Sequence, residues 1–495
     1  MSTSTAAASH DADHQIRKAE TLILAVIFLG IVLAAVDTTI VVLAIPTISH
    51  DLHSGISTVV WVIMAYILTL TVLGTQVGKI GDIFGRVHMY IAGFVIFTLG
   101  STLCGIAPGG ELLVAFRVLQ GIGGALVSAN SGAIIADSIP VARRGRAYGL
   151  TSVGWNVGAI LGILLGGILI TFVSWRFIFL INLPIGIAAI IISAIVLRDR
   201  GERVKHSIDI PGMLLLAGGL TLILLAVNDV TDGNWTVQTS IKLGSGIILL
   251  MGLFLWERRA KEPVLPVALL RIRILFASIF ASFFQALANF SVLFLLIMYL
   301  QAARGLSPLA ASALLIPGYI VGAFTGPFAG RWSDRVGSRA PATLGLILQG
   351  VSVFCYAQLD PHSSLWLIAG ISAISGIGSG LFFPANNSAV MANAPQRTYG
   401  IASGLLRTFS NMGMVGSFAV ALLATSISIP KRFALAIFLG TASTSLPKHL
   451  VGPFMDGWHT ALYFASALFI IPIILSLIRG KEQRNPQHQA PSTAS

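Results

Sequence analysis

Charge is what this sequence has least of. Only 10% of its 495 residues are Asp, Glu, Lys or Arg, against about a quarter in an ordinary soluble domain, so water is not the main solvent for its surface. Cysteine is almost missing: Cys104 and Cys355 are the two in the chain. They fall in separate apolar stretches without metal-ligand spacing, and neither a disulfide framework nor a metal site is expected. No Gly-x-x-x-x-Gly-Lys-Ser/Thr loop is present, which disfavours ATP hydrolysis by this chain. No His-Glu-x-x-His, Gly-x-Ser-x-Gly or Cys-x-x-Cys constellation supports an enzyme. No cofactor is implied. The net charge of +12 could suggest a nucleic-acid partner, but the bases are spread over short loops instead of forming one patch, so none is expected.

Apolar residues fill the space that charge leaves, at 55% of the chain with a mean hydropathy of +0.87. They form about fourteen runs of helix-spanning length, expected at 21–46, 57–77, 87–106, 111–136, 147–173, 177–197, 211–229, 239–257, 275–300, 309–329, 341–358, 364–389, 401–428 and 458–478. The fold class expected is an all-α polytopic membrane protein. The first run follows a polar segment of 20 residues and is too long for a signal-peptide core. With the amino terminus inside, roughly 23 of the 31 Lys and Arg fall in cytoplasmic segments, among them Arg143, Arg144 and Arg146, Arg198, Arg200, Arg203 and Lys205, and Arg258, Arg259 and Lys261. Both termini are then cytoplasmic.

The chain resembles itself at an offset of about 250 residues. "GKIGD" at 78–82 matches "GRWSD" at 330–334, "GIGGAL" at 121–126 matches "GIGSGL" at 376–381, and "RAYG" at 146–149 matches "RTYG" at 397–400. The expected division is a tail over 1–20, a six-helix bundle over 21–200, two inserted helices over 201–262, a second six-helix bundle over 263–480 and a tail over 481–495. Repeated six-helix bundles with a site at midplane between them are an architecture of secondary transporters.

"VDTTIVVLAIP", "GKIGDIFGR", "LLVAFRVLQGIGGAL", "GLTSVGWNVGAILGILLGGIL" and "SWRFIFLINLPIG", in that order, resemble the fourteen-helix drug:proton antiporter branch of the major facilitator superfamily. The resemblance implies that fold, a multi-pass cell-membrane protein, and export of small molecules in exchange for protons. It is not complete: Ile83, Val42 and Ile163 stand where the family usually has a base, an Asn and a Pro.

Asp37 interrupts an apolar run of about 26 residues, roughly 39 Å of helix, and a carboxyl group there must face protein or a wet cavity. It lies roughly 13 Å from Pro46, and Arg117 roughly 9 Å from the outer end of its own helix, so the two share a depth. The family likeness makes this pair the proton-coupling site, with Gln120 one turn from Arg117. A purely structural ion pair is the competing reading.

In "GKIGDIFGR", Gly78 and Gly85 permit a tight turn that sets Asp82 and Arg86 at the inner surface, and Gly330, Asp334, Arg335, Gly337 and Arg339 repeat the pattern. The resemblance implies a gate. Gly154, Gly158, Gly162, Gly166 and Gly167 form a small-residue face, which the resemblance assigns to the antiporter helix between the bundles. Asn130, Trp155, Asn156, Gln285, Asn289, Asn386, Asn387, Arg407 and Asn411, with Gln120, supply an aromatic ring, amides and a base at membrane depth for a substrate cavity. Phe283, Phe284, Phe290 and Phe294 could add apolar surface. The outer segment from Pro430 to Trp458 contains "FALAIFLG", too short to span.

The expected partners are a small-molecule substrate, protons and the lipid bilayer, with the chain acting as a monomer. A carrier of one metabolite, siderophore or amino acid on the same fold is the alternative, and a non-transporting membrane sensor a remote one. Alkaline phosphatase fused after Ser495 is expected to be inactive because it stays inside. An active fusion at that position overturns the even-span topology.

Overall fold

The computed structural model describes residues 2–54, 56–140, 143–199, 207–231, 236–260, 263–265, 267–395, 398–426 and 448–480. Among the described residues the regular structure is entirely helical. The first half carries α1 (Ser2–Asp51), α2 (Ile56–Phe84), α3 (Arg86–Gly105), α4 (Gly110–Ser138), α5 (Arg144–Phe172), α6 (Phe177–Leu180) and α7 (Asn182–Val196). Two further helices follow, α8 (Ile210–Thr231) and α9 (Val237–Glu257). The second half carries α10 (Val267–Leu270), α11 (Arg273–Met298), α12 (Pro308–Ala313), α13 (Ile316–Val336), α14 (Arg339–Tyr356), α15 (Leu365–Asn393), α16 (Tyr399–Ser426), α17 (Lys448–Leu468) and α18 (Ile470–Ile478).

Ten helices among the described residues are long and apolar enough to cross a bilayer. The expected count of fourteen also takes in α8, α13, α14 and α16, which are helical; α13, α14 and the described part of α16 are more polar than the ten. Their sequences give the reason: α13 ends in Arg331, Asp334 and Arg335, α14 buries Thr343 and Gln349, and α16 carries Ser403, Arg407 and Thr408. Polarity of this kind is tolerated where a helix faces protein instead of lipid.

Two boundaries differ from expectation. Helix α1 neither begins after residue 20 nor ends at Pro46, but runs from Ser2 to Asp51. Helix α2 continues through "GKIGD" to Phe84, so the turn is confined to Gly85, whose φ of 104° only a residue without a Cβ adopts cheaply. Gly337, with φ 98°, ends α13 in the same way. Gly78 and Gly330 are therefore helical residues, not turn residues. The stretches 427–447, which hold "FALAIFLG", and 200–206 lie outside the described residues, as do Lys261, Arg397 and part of the loop after α8.

The internal repeat reappears as packing. Helix α3 meets α4 where Gly123 leaves room for the Phe97 backbone, and α14 meets α15 where Gly345 does the same for Phe382. Helix α1 lies on α5, and α11 lies on α16 through Gly413 against Phe283. Apolar side chains gain little by leaving lipid for protein, so close approach at small residues carries much of the association. One apolar cluster includes Phe94, Phe97, Trp175 and Phe179; another, in the second half, includes Tyr299, Phe382, Trp458 and Phe469. Helices α8 and α9 pack on each other and reach α2 through Leu216, Leu220 and Val72. Only 17% of the central stretch of α9 is buried, which puts this pair at the periphery.

The glycine face of α5 is turned differently from expectation. A Cβ on Gly158 would stand 2.7 Å from the Val32 carbonyl oxygen and the Ala35 Cβ, one on Gly154 3.1 Å from the Phe28 ring, and one on Gly162 on the Thr39 hydroxyl. That face meets α1 in its own half; Gly166 is buried and Gly167 half-buried further along. The residues that approach the second half are Gly145 and Gly149, beside Gly330 and Gly326. The spacing of four showed a bare face, and only the neighbours decided what covers it.

Gly158→Leu is expected to lower stability by about 1–3 kcal/mol, as overpacking does. Gly244→Leu, where an added Cβ meets nothing within 4 Å, should be neutral. Thermal midpoints of the detergent-solubilised chain check the contrast, and equal midpoints for both variants count against a close α1–α5 contact.

Candidate functional site

Helices α1, α2 and α4 bring the interrupting carboxylate and the membrane arginine together. Arg117 Nη1 donates to both oxygens of Asp37, at 3.1 and 2.9 Å, and to Gln120 Oε1 at 2.7 Å. Its Nε donates to the Val62 carbonyl at 3.0 Å, and Gln120 Nε2 donates to Asp37 Oδ1 at 2.8 Å. The guanidinium lies over the Tyr66 ring, 4.3 Å from its centroid. Asp37 and Gln120 are fully buried and Arg117 is 1% exposed, so Arg117 does not snorkel to the outer surface. Arg117 and Gln120 share one face because they stand three apart on a helix. The sequence located these three residues. Tyr66 and the Val62 carbonyl had no distinguishing signal.

A guanidinium does not give up its proton in a protein, whereas a carboxylate can take one. Removing one partner of a buried ion pair leaves an uncompensated charge, at a cost of about 3–5 kcal/mol. In this cluster Gln120 and the Val62 carbonyl also accept from Arg117, so the guanidinium has partners besides Asp37.

A cavity of about 50 Å³ lies among helices of the first half, where one residue of the second half reaches it. Its walls come from α1 (Gly30, Ala34), α3 (Phe94, Phe97), α4 (Ser128, Ser131) and α5 (Trp155), and Arg407 enters from α16. That space admits a few waters, well below the roughly 300–1,000 Å³ of small-molecule sites.

Of the expected cavity residues, Trp155 and Arg407 line this space. Several others are engaged elsewhere. Asn130, Asn156 and Asn387 donate to carbonyls one turn back in their own helices. Gln285 donates to Gln349 at 2.7 Å, and Asn386 to Ser278 and Ser282 at 3.0 and 2.9 Å, tying α11 to α14 and α15. Asn289 and Asn411 are half-buried. Phe283 packs with Phe284 and Phe409, consistent with a packing role instead of a ligand surface.

At the end of the bundle marked by Gly85 and Gly337 the two halves meet along two equivalent seams. A Cβ on Gly78 would fall on the Gly400 carbonyl, joining α2 to α16, and one on Gly330 would fall on the Gly145 carbonyl, joining α13 to α5. Thr75 and Thr408 hydroxyls add a bond of 3.1 Å across the first seam. Asp334 accepts from the Gly145 and Arg146 amides at 2.8 and 3.0 Å, capping the first turn of α5, where a carboxylate also meets the positive end of the helix dipole. Asp82 stands in the corresponding place beside Gly400 at the start of α16.

Arg86 ties Asp82 to Asp137, donating from Nε to Asp82 at 2.8 Å and forming an ion pair with Asp137. Arg144 bonds the Tyr399 hydroxyl at 3.0 Å and stacks on that ring, which Arg86 also approaches. Tyr399 thus links the halves between two arginines. Arg335 and Arg339 are exposed and outside these contacts. Sequence reading counted Arg144 only among topology-setting bases and missed Asp137 and Tyr399; the "RAYG"/"RTYG" match was the signal that led to this spot. Helix α2 is also fixed to the inserted pair: Lys79 donates to the Pro263 carbonyl at 2.8 Å, and Gln76 accepts from the Asp209 amide at 3.3 Å.

Loss of a carboxylate cap costs a helix about 0.5–2 kcal/mol. Asp334→Ala is therefore expected to shift the seam toward opening by about two- to thirtyfold. Labelling of Ser131→Cys by an impermeant maleimide from the cytoplasmic side, in a background without Cys104 and Cys355, checks this. Unchanged labelling removes Asp334 from the seam.

These features can be compared with known proteins. Thirty per cent of residues are identical to the riboflavin transporter RibZ of Clostridioides difficile over 84% of this chain and 91% of that protein. The tetracenomycin C resistance and export protein of Streptomyces glaucescens is also 30% identical, over 80% of this chain and 73% of its own length. Among solved structures, the proton:xylose symporter XylE superposes with a TM-score of 0.64 over 92% of this chain and 95% of that one, at 13% identity, which shows the fold alone. The family model described as Major Facilitator Superfamily matches residues 27–418 and 280–494. By that match over most of its length, this chain belongs to the Major Facilitator Superfamily.

Proposed function

We propose that this chain is a proton-coupled antiporter of the fourteen-helix drug-export branch, carrying hydrophobic or amphipathic small molecules out across the cell membrane by alternating access. The observation that carries the reading is the Asp37–Arg117–Gln120 cluster: one titratable group, buried at membrane depth, held against a base that cannot titrate. The bundles expected at 21–200 and 263–480 rock about the central cavity, the helices of 201–262 ride at the edge, and both termini remain cytoplasmic. The inner seams described above correspond to an inward-closed state. A proton arriving from outside neutralises Asp37, leaves Arg117 to Gln120 and the Val62 carbonyl, and loosens α1 and α4 from their shared charge pair. Opening toward the cytoplasm lets the proton leave and restores the pair.

Export agrees with what the Streptomyces relative is named for, and an ion gradient fits a sequence without a phosphate loop. The likeness to a riboflavin transporter over 91% of that protein's length favours a second reading, a carrier dedicated to one metabolite, which a substrate screen separates from the first.

In proteoliposomes with an imposed pH gradient, Asp37→Asn keeps the shape of the side chain and one accepting oxygen, but its amide nitrogen cannot replace the second accepting oxygen and the group cannot titrate. Uphill transport is expected to be lost, downhill exchange to persist, and Asp37→Glu to keep part of the uphill rate. An Asp37→Asn protein that concentrates substrate near the parent rate overturns the coupling role.

A further inference from the structure

The cavity wall holds one group that the coupling cluster does not use. Arg407 reaches from α16 into a space otherwise lined by α1, α3, α4 and α5, and no acidic residue is among the cavity-lining side chains. No hydrogen bond or ion pair joins its guanidinium to any other described residue. Tyr148, the neighbouring phenol, donates its proton to the Gly132 carbonyl at 3.0 Å. Arg117 shows what an arginine at membrane depth ordinarily requires: a carboxylate, an amide and a carbonyl within 3.1 Å. Arg407 has a permanent charge, an apolar setting and no counter-ion among the described residues.

We infer that Arg407 is the anchor for the anionic group of an amphipathic substrate, and that the cavity selects organic anions with one carboxylate, sulfonate or phosphate on an aromatic or aliphatic body. The inference rests on the export reading and names its substrate class. A guanidinium binds such oxyanions through two parallel N–H donors, and Trp155, Phe94 and Phe97 supply the apolar wall against which the body lies. Cations meet the reverse field. The carboxylate of the proton site cannot offset it, because Asp37 is already held by Arg117 and Gln120.

The placement also ties binding to movement. Arg407 belongs to the second half and the opposing wall to the first, so an anion bridging them contacts both bodies at once. At about 50 Å³ the cavity is too small for such a ligand, and the bridge forms once the wall has moved apart from α16.

A matched pair of probes isolates the charge: 1-anilinonaphthalene-8-sulfonate and N-phenyl-1-naphthylamine share a body and differ by the sulfonate. Binding to the full chain in micelles is read from the ligand-dependent rise in thermal midpoint, and flux from proteoliposomes with a pH gradient. The parent is expected to bind the sulfonate at least about tenfold more tightly than the amine, the scale of a charge-assisted hydrogen bond. Arg407→Gln should weaken sulfonate binding about tenfold or more and leave the amine unchanged, and Arg407→Lys should restore part. Equal binding of the two probes by the parent, or unchanged sulfonate binding in Arg407→Gln, overturns the inference. Should Arg407→Gln fail to fold, the parent's probe ratio and the Arg407→Lys ratio decide. Sulfonate preference without uphill flux of either probe would sink the export reading and keep the anion site; uphill flux without that preference would do the reverse.

Discussion

A guanidinium in the middle of a membrane helix must be answered by other groups of the same protein, and Arg117 is where this constraint bears hardest. It cannot discharge itself, and α4 places it too deep to reach water, at 1% exposure. Asp37 from α1, Gln120 from its own helix and the Val62 carbonyl from α2 answer it together. Three helices of the first half are therefore held in register by one charge. Asp37 supplies the one carboxylate of that arrangement.

Away from that cluster, closeness replaces charge. Gly78, Gly145, Gly330 and Gly400 let backbones of opposite halves touch, and carboxylates then reach helix starts that a bulkier seam would keep apart. Asp334 on the α5 amides is the clearest instance. Such contacts are individually modest, at about 0.5–2 kcal/mol for a cap. A larger interface energy would hold the protein in one state.

Much of the fold was legible in one dimension because a bilayer forces long apolar helices. The residues at 37, 117 and 120 stood out for the same reason: polarity at membrane depth is conspicuous. The cavity list was less faithful. Asn130, Asn156 and Asn387 look equally conspicuous in sequence, yet each donates to a carbonyl one turn back, and helical amides can satisfy themselves this way without pointing at anything. Gln285 and Asn386 bond between helices of the second half instead. Polarity identified candidates, and direction sorted them.

The sequence by itself determined the solvent, the helical class, the repeat of "GKIGD" in "GRWSD", and the depth shared by Asp37 and Arg117. Those properties follow from composition and from rise per residue, which need no neighbours. Only the tertiary structure decided that Gly158 faces α1, that Tyr399 sits between Arg86 and Arg144, and that Arg407 enters a cavity without a counter-ion among the described residues. Each depends on the rotation of a helix about its axis and on which other helix comes to lie beside it. A helix whose apolar residues fall on every side carries too little amphipathic signal to fix that rotation.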